Sequence, residues 1–326
     1  MVQKKREHPK VKAGLHPRNK HRERYNFKEL IKACPDLAPF VVPNKFQDES
    51  INFSDPAAVL MLNRAVLKHF YNVDHWSIPE GFLCPPVPGR ADYIHNAADL
   101  LASVNEGVIP LGKHVKCLDI GVGANCIYPI IGNREYGWSF LGSDVEEAAI
   151  SSATAIVENN ITLKGHIDLC LQANAYNTFR DVINYNAHFD LTICNPPFHS
   201  SQEEAEAVSL RKLSSLNKTE VDKLVKNFGG TGKELYCNGG EERFVTNMIK
   251  QSKDFAQSCL WFTSLVSKED NLRSFRKTLK AVQAAEVKTI KMSQGTKISR
   301  MLAWTFHEKE QQKAWAKKYW SDPVGI

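Results

Sequence analysis

The sequence lacks the features of secreted, zinc-binding and membrane-spanning proteins. None of its eight cysteines forms a Cys-x-x-Cys pair, so the usual spacing of a zinc site or a redox dithiol is absent. No apolar run approaches the ~20 residues of a membrane span, and the first residues are polar, with no apolar signal-peptide core. Several cysteines lie inside apolar runs, as reduced core thiols do. We therefore expect a soluble, cytoplasmic protein without a metal site.

Large apolar side chains are almost absent from residues 1–24, where positive charge is concentrated. This stretch holds nine Lys or Arg against two Glu, a net charge of +7, whereas the whole chain carries +6. A segment with so few apolar groups cannot build a core, and its cations suit phosphate groups. We expect a flexible basic arm that binds nucleic acid. A solvated tail that only aids solubility is the alternative.

A helical pattern follows over residues 25–85 and is predicted to form a module packed against the main domain. The Ser-Asp-Pro sequence at 54–56 supplies an N-cap and an early proline for one of its helices. Residues 86–326 are long enough to bury one large core. Within them, the polar, glycine-spotted stretch 199–240 exceeds the usual length of a connection and predicts a substrate loop.

The first strand of the main domain is predicted to run into a glycine-rich turn. An apolar run contains Asp119, and Gly121 and Gly123 follow in the pattern Asp-x-Gly-x-Gly. Glycine lets the backbone approach a ligand where a Cβ would clash. The third glycine of the dinucleotide-binding pattern Gly-x-Gly-x-x-Gly is missing, which disfavours a nicotinamide or flavin enzyme.

Polar residues close the next two predicted strands. Asp144 comes 25 residues after Asp119 and is placed to hold ribose hydroxyls. Capping of the following helix is the alternative role, and one residue can do both. Asn174 follows the third strand, where we expect the adenine end of a nucleoside, although loop hydrogen bonding explains it equally well.

The fourth strand ends in the most informative motif, Asn195-Pro196-Pro197-Phe198. Two prolines cannot continue a strand ladder, so the Asn195 amide and the Pro196 carbonyl are fixed at the carboxyl edge, where open α/β sheets bind ligands. Both oxygens can accept an N–H from an exocyclic ring amine and so localise its lone pair, and Phe198 offers a stacking face. A strand end with a proline turn is the plain structural alternative.

The order of these motifs predicts an α/β, Rossmann-like class I S-adenosylmethionine-dependent methyltransferase fold with an N-terminal helical extension. We expect a seven-stranded, mostly parallel sheet in the order 3-2-1-4-5-7-6, counted within the main domain, with the last strand antiparallel. Residues 287–292 and 299–306, on either side of a Gln-Gly-Thr turn, predict a terminal hairpin.

The chain resembles the ribosomal RNA large subunit methyltransferase F family, and its eukaryotic small-nuclear-RNA-modifying relatives, over nearly its whole length. The resemblance rests on residues 15–19, 83–95, 118–129, 194–198, 261–267 and 303–306. It implies methyl transfer from S-adenosylmethionine to N6 of one adenine in 23S rRNA, without a metal. The implied partner is 23S rRNA or a large-subunit assembly intermediate, with no membrane and no obligate protein partner.

The resemblance also implies the roles of individual residues. The expected site comprises Asn195, Pro196, Pro197 and Phe198 for catalysis, and Arg90, Asp119, Gly121, Gly123, Asp144, Asn174 and Asn195 for the cofactor. Close relatives carry Glu where Asp144 stands, so the ribose contact would have a shorter reach. The end of the chain at Ile326, without the extension of the animal relatives, favours rRNA over small nuclear RNA.

Two other functions stay open. Guanine N2 methylation of rRNA also suits Asn-Pro-Pro-Phe followed by His199, and nucleoside analysis of the product separates it from adenine N6. A ribosome-assembly factor that binds RNA without turnover would not use a cofactor, so calorimetry with S-adenosylmethionine tests that function.

The basic arm generates a first prediction. Removing residues 1–24 should flatten the dependence of RNA affinity on salt, because each lost phosphate contact lowers the slope of log K against log salt by about 0.7–0.9. Filter binding of rRNA over a salt series measures this slope. An unchanged slope would reduce the arm to a solubility tail.

Overall fold

A seven-stranded mixed sheet lies at the centre of the computed structural model, which describes residues 11–44, 46–184, 186–201, 234, 236–294 and 297–320. A separate hairpin precedes this sheet and consists of β1 (Val41–Pro43) and β2 (Glu49–Ile51). The strands of the sheet are β3 (Lys116–Ile120), β4 (Ser139–Asp144), β5 (Ile167–Leu171), β6 (Phe189–Cys194), β7 (Cys259–Val266), β8 (Glu286–Gln294) and β9 (Lys297–Thr305).

Helices cover both faces of the sheet. They are α1 (Phe27–Ala33), α2 (Pro56–Tyr71), α3 (Val87–Ala102), α4 (Ile127–Tyr136), α5 (Glu147–Glu158), α6 (Gly240–Ser252), α7 (Asn271–Ala281) and α8 (Lys309–Tyr319), with 3-10 turns at Pro35–Phe40 and Lys253–Phe255. Among the residues for which structure is described, none of these helices combines the length and the apolar character that crossing a bilayer requires.

The strand order is β5-β4-β3-β6-β7-β9-β8. Strands β3 to β7 pair in parallel, whereas β9 pairs antiparallel with both of its neighbours. Counted from β3, this is the predicted order 3-2-1-4-5-7-6, and the predicted fold class is confirmed. The terminal hairpin is also confirmed, and its strands are longer than the sequence pattern indicated.

The central strands are buried on both faces, as parallel strands between helical layers must be. All residues of β6 and β7 are buried. One hydrophobic cluster joins Phe27, Leu37 and Ala65 of the N-terminal helical region to Trp261 in β7. A second cluster, on α6, α7 and β9, includes Phe275. The residues from 25 to 85 therefore share a core with the sheet, and where a domain boundary falls stays a prediction.

Residues 11–24 do not form the expected flexible arm. Leu15 and Asn19 are each 3% exposed and His21 is fully buried. Arg18 donates to Asp99 Oδ1 on α3 at 2.7 Å, so this polar stretch is held by partners that are distant in sequence. The predicted flexibility is wrong for these residues, and their binding of nucleic acid stays a prediction. Residues 1–10 lie outside the described part.

Removal of all 24 residues would therefore disturb packing as well as charge. Deleting only residues 1–10, which contain Lys4, Lys5, Arg6 and Lys10 against Glu7, is the sharper test of the salt dependence.

Asp190 on β6 connects the C-terminal helix α8 to the sheet. Its Oδ1 accepts hydrogen bonds from the indole Nε1 atoms of Trp315 at 2.7 Å and Trp320 at 2.9 Å, and its Oδ2 accepts the backbone N–H of Lys116 at 2.7 Å. The carboxyl is fully buried. Burial raises the pKa of Asp190, and the three donors oppose that shift.

These contacts generate the second prediction. Asp190→Ala leaves two buried indole donors and the partly buried N–H of Lys116 without an acceptor. Each buried donor costs about 1–3 kcal/mol, so we expect a loss of about 3–5 kcal/mol in the free energy of unfolding. Urea unfolding measures it, with Asp168→Ala on the exposed side of β5 as the matched control. Equal midpoints for the two variants would contradict the prediction.

Candidate active site

A cavity of about 350 Å³, called here the larger cavity, opens at the carboxyl edge of the sheet. Residues after β3, β4 and β6 border it, together with the start of α3. Of the residues predicted from the sequence, those that line it are Arg90, Gly121, Gly123, Asp144, Asn195 and Pro197. Four stretches that are far apart in the chain therefore meet at the edge where open α/β sheets bind ligands.

The turn after β3 leaves room for a ligand. Gly121 and Gly123 have φ of +75° and +64°, a region that residues with a Cβ rarely adopt. Among the described residues, no atom outside Gly121 and its two chain neighbours lies within 4 Å of the position that a Cβ on Gly121 would occupy, so a side chain there would enter open space. The turn is held by the carbonyl of Ser143, which accepts the N–H groups of Gly121 and Val122 at 2.9 Å.

Asp144 links this turn to the next helix. Its Oδ2 accepts the N–H of Gly123 at 2.9 Å and its Oδ1 accepts the N–H of Glu146, which precedes α5, at 3.0 Å. Burial raises the pKa of Asp144, and these backbone donors counteract the shift. The structure therefore gives Asp144 a local bonding role next to the helix while it also lines the larger cavity.

Asp119 lies just beneath the cavity and does not line it. The side chain is fully buried, and neither of its carboxyl oxygens has a hydrogen-bond partner among the described residues. Burial raises the pKa of Asp119 well above its ordinary value, Asp144 raises it further, and Arg90 opposes the shift. Buried polar atoms without partners are rare in proteins, so this carboxyl is suited to a donor or cation supplied by a ligand.

Arg90 brings a positive charge to the same place. Arg90 is 9% exposed, and its Nη1 donates to the hydroxyl of Tyr128 at 2.6 Å. Its Cζ lies 5.4 Å from the centroid of the Tyr128 ring. Its Nε has no partner among the described residues. The guanidinium therefore keeps a free donor beside the buried carboxyl groups, where an anionic part of a ligand would be stabilised.

The motif after β6 separates the larger cavity from a second one. This smaller cavity, of about 80 Å³, is lined by Asn195 and Phe198 among others, and Arg90 and Asn195 line both cavities. The Oδ1 of Asn195 is buried without a hydrogen-bond partner in the described structure. Pro196 is buried and Pro197 borders the larger cavity. An unused amide acceptor thus lies at the junction of two cavities.

Asn174 is not brought to the cavity. Its side chain is exposed and its Oδ1 accepts the N–H of Tyr176 at 2.9 Å, while its own N–H donates to Gln172 Oε1 at 2.9 Å. The polar residue forms a local turn, which is the alternative that the sequence left open. The residues from this stretch that do line the larger cavity are Gln172, Ala175, Asn177 and Thr178.

Glu234 is a lining residue that sequence reasoning missed. Its Oε2 accepts the N–H of Leu83 at 2.9 Å, and a Cβ on Gly123 would lie 3.0 Å from its Oε1. Burial raises the pKa of Glu234. The residue belongs to the predicted substrate loop 199–240, of which 202–233 and 235 lie outside the described residues, and no local pattern marks it.

Comparison with known proteins agrees with this geometry. A family model described as RNA methyltransferase matches residues 9–308. The chain is 56% identical over 320 residues to the ribosomal RNA large subunit methyltransferase F of Serratia proteamaculans, covering 98% of this chain and 95% of the relative.

Solved structures resemble the chain as well. The hMettl16 catalytic domain in complex with the MAT2A 3'UTR hairpin 1 superposes with a TM-score of 0.76 at 27% identity, covering 90% of this chain and 96% of that one. The N-terminal domain of human METTL16 in complex with SAH gives 0.71 at 26% identity, covering 90% and 99%. The chain thus belongs to the RNA methyltransferase family that its sequence matches from residue 9 to residue 308.

Proposed function

We propose that the chain methylates N6 of one adenine in 23S rRNA with S-adenosylmethionine as the methyl donor. The observation that carries this proposal is the unpartnered Oδ1 of Asn195 at the junction of the two cavities. One cavity then holds the cofactor and the other the target base, with the acceptor between them. The relatives named for large-subunit rRNA support this choice of RNA.

The larger cavity fits S-adenosylmethionine. The open space above Gly121 admits a ligand, and the free Nε of Arg90 suits a carboxylate. The charged form of the buried Asp119, which does not line the cavity, would be stabilised by a cationic group bound there. Asp144 would accept from the ribose hydroxyls. When bound, S-adenosylmethionine supplies an electrophilic methyl group on a sulfonium centre.

The protein's own contribution is to orient and activate the amine. An exocyclic adenine amine is a poor nucleophile because its lone pair is delocalised into the ring. Hydrogen bonds from its two N–H groups to the Asn195 amide oxygen and the Pro196 carbonyl would draw the nitrogen toward tetrahedral geometry. Phe198 would hold the ring by stacking. Positioning of this kind can supply most of a rate enhancement without a strong base.

The nature of the substrate is a further part of the proposal. We place the reaction in the cytoplasm, which agrees with the free thiol state of all eight cysteines, and expect 23S rRNA or an assembly intermediate as the substrate. Methyl transfer to rRNA from a strain without the gene, followed by identification of the nucleoside, tests the proposal. N2-methylguanosine as the product would show that the target is guanine and not adenine. The absence of any methylated product would favour an RNA-binding factor without turnover.

Asn195→Ala provides the third prediction. The variant loses the amide acceptor, so we expect kcat to fall by at least about 100-fold, while the affinities for rRNA and for S-adenosylhomocysteine stay within about threefold because the lost contact is to the target amine. Phe198→Ala should instead raise KM for RNA, since it removes a stacking face.

Asn174→Ala is the matched control, because the same amide is removed at an exposed position outside both cavities. Steady-state kinetics and calorimetry distinguish the variants. Full turnover by Asn195→Ala would contradict the mechanism, and weakened cofactor binding by Asn174→Ala would restore the assignment made from the sequence.

The fourth prediction concerns pH. Burial raises the pKa values of Asp119, Asp144 and Glu234, and a cationic ligand would stabilise their charged forms. Ligand binding should then release protons, and affinity should rise with pH above the ordinary carboxyl range of about pH 4. Calorimetry of S-adenosylmethionine binding between about pH 5 and 7, in buffers of different ionisation enthalpy, counts the protons released. Uptake of protons on binding would contradict the prediction. So would an equal number of released protons for the wild type and for Asp119→Asn.

A further inference from the structure

The walls of the smaller cavity come from distant parts of the chain. Phe198 follows β6, Leu265 and Ser267 lie at the end of β7 and after it, and Met292 belongs to β8. The N-terminal segment supplies Leu15. Apolar side chains therefore form several walls, as the flat faces of a purine require.

Leu15 is part of a segment that is held tightly in place. On α3, Asp92 Oδ1 accepts the backbone N–H of His16 at 2.5 Å and the side-chain amide of Asn19 at 3.2 Å. The same amide donates to the carbonyl of Pro88 at 2.9 Å. Asp92 itself is 3% exposed and lines the smaller cavity. The carboxylate thus joins the wall that contains Leu15 to the helix that contains Arg90.

A second attachment lies on the other side of Leu15. The hydroxyl of Ser293 on β8 donates to the carbonyl of Gly14 at 3.0 Å. A Cβ on Gly14 would lie 2.4 Å from Ser293 Oγ and 3.1 Å from the Ser293 carbonyl oxygen, so this approach requires glycine. Leu15 is therefore fixed between two anchors, one on α3 and one on the edge strand of the sheet.

The segment has a third connection further along. Asp99 on α3 accepts from His16 Nε2 at 2.8 Å when that nitrogen carries the proton, and from Arg18 Nη2 at 2.7 Å. Arg18 also donates to the hydroxyl of Tyr136 at 3.1 Å. A stretch with few apolar residues is thus ordered mainly by polar bonds, and its one buried leucine faces the smaller cavity.

We infer that Leu15, held in place by the segment 14–19, forms a wall of the target-base cavity and contacts the base bound there, and that Asp92 is the positioning residue for this wall. The inference rests on the proposed function, because that function supplies the base. It follows that the basic stretch 1–10 leads in sequence directly into the base site.

Leu15→Ala is the primary test, with unmodified 23S rRNA and S-adenosylmethionine as substrates. We expect KM for RNA to rise about tenfold, the effect of removing methylenes from an apolar pocket, with unchanged affinity for S-adenosylhomocysteine. Leu37→Ala is the matched control, since Leu37 is fully buried in the N-terminal helical region and lines neither cavity. It should lower thermal stability without changing KM.

A pair of Asp92 variants tests the positioning role. Asp92→Ala removes the acceptor and should raise KM as Leu15→Ala does, whereas Asp92→Asn keeps an Oδ1 acceptor and should restore most of the wild-type KM. The double variant Leu15→Ala/Asp92→Ala should then have a KM for RNA no higher than that of the single variants, because both changes disrupt the same wall.

The results separate this inference from the proposed function. Turnover by the wild-type chain with N6-methyladenosine as product supports the proposed function whatever the variants do. With that turnover present, a KM for Leu15→Ala equal to that of Leu37→Ala would overturn the inference alone. An equal rise in KM for RNA in Asp92→Ala and Asp92→Asn would show that Asp92 does not position this wall.

Discussion

The interruption of backbone pairing after β6 is the constraint on which the site depends. Strand β6 lies at the centre of the sheet, with β3 on one side and β7 on the other, and Pro196 and Pro197 have no N–H to donate to either neighbour. The ladder must stop at this point. Asn195 consequently follows the last paired residue of β6, and the chain turns between the two cavities that Asn195 borders. Its side-chain Oδ1 has no hydrogen-bond partner among the described residues.

The two cavities differ in chemistry in a way that matches separate ligands. The carboxyl groups of Asp144, Glu146 and Glu234 and the guanidinium of Arg90 line the larger cavity. Burial raises the pKa values of Asp144 and Glu234, and also that of the nearby Asp119. A ligand with both positive and negative groups compensates such charges. The smaller cavity combines apolar side chains with those of Arg90, Asp92 and Asn195, and its apolar walls suit the faces of a ring. Arg90 and Asn195 alone of the predicted residues border both.

Local pattern was sufficient where a residue's role depends on its own backbone. The Asp-x-Gly-x-Gly pattern predicted a glycine turn after the first strand of the main domain, and Gly121 and Gly123 form it with positive φ values. The hairpin of β8 and β9 also forms where the sequence predicted one. Asn174 illustrates the opposite case. A polar residue after a strand can point to a ligand or bond to its own loop, and its neighbours Gln172 and Tyr176 decided the outcome.

The sequence by itself determined the glycine turn and the position of the Asn-Pro-Pro-Phe motif, because each follows from backbone rules that act within a few residues. The strand order was predicted from the order of the motifs along the whole chain. Only the tertiary structure decided that Leu15 enters the smaller cavity and that Glu234 enters the larger one. Both placements depend on hydrogen bonds between residues that are far apart in the chain, Asp92 with His16 and Glu234 with Leu83. A pattern read over a few residues cannot reveal partners that are distant in sequence. The packing of the charged residues 11–24 depends on such partners.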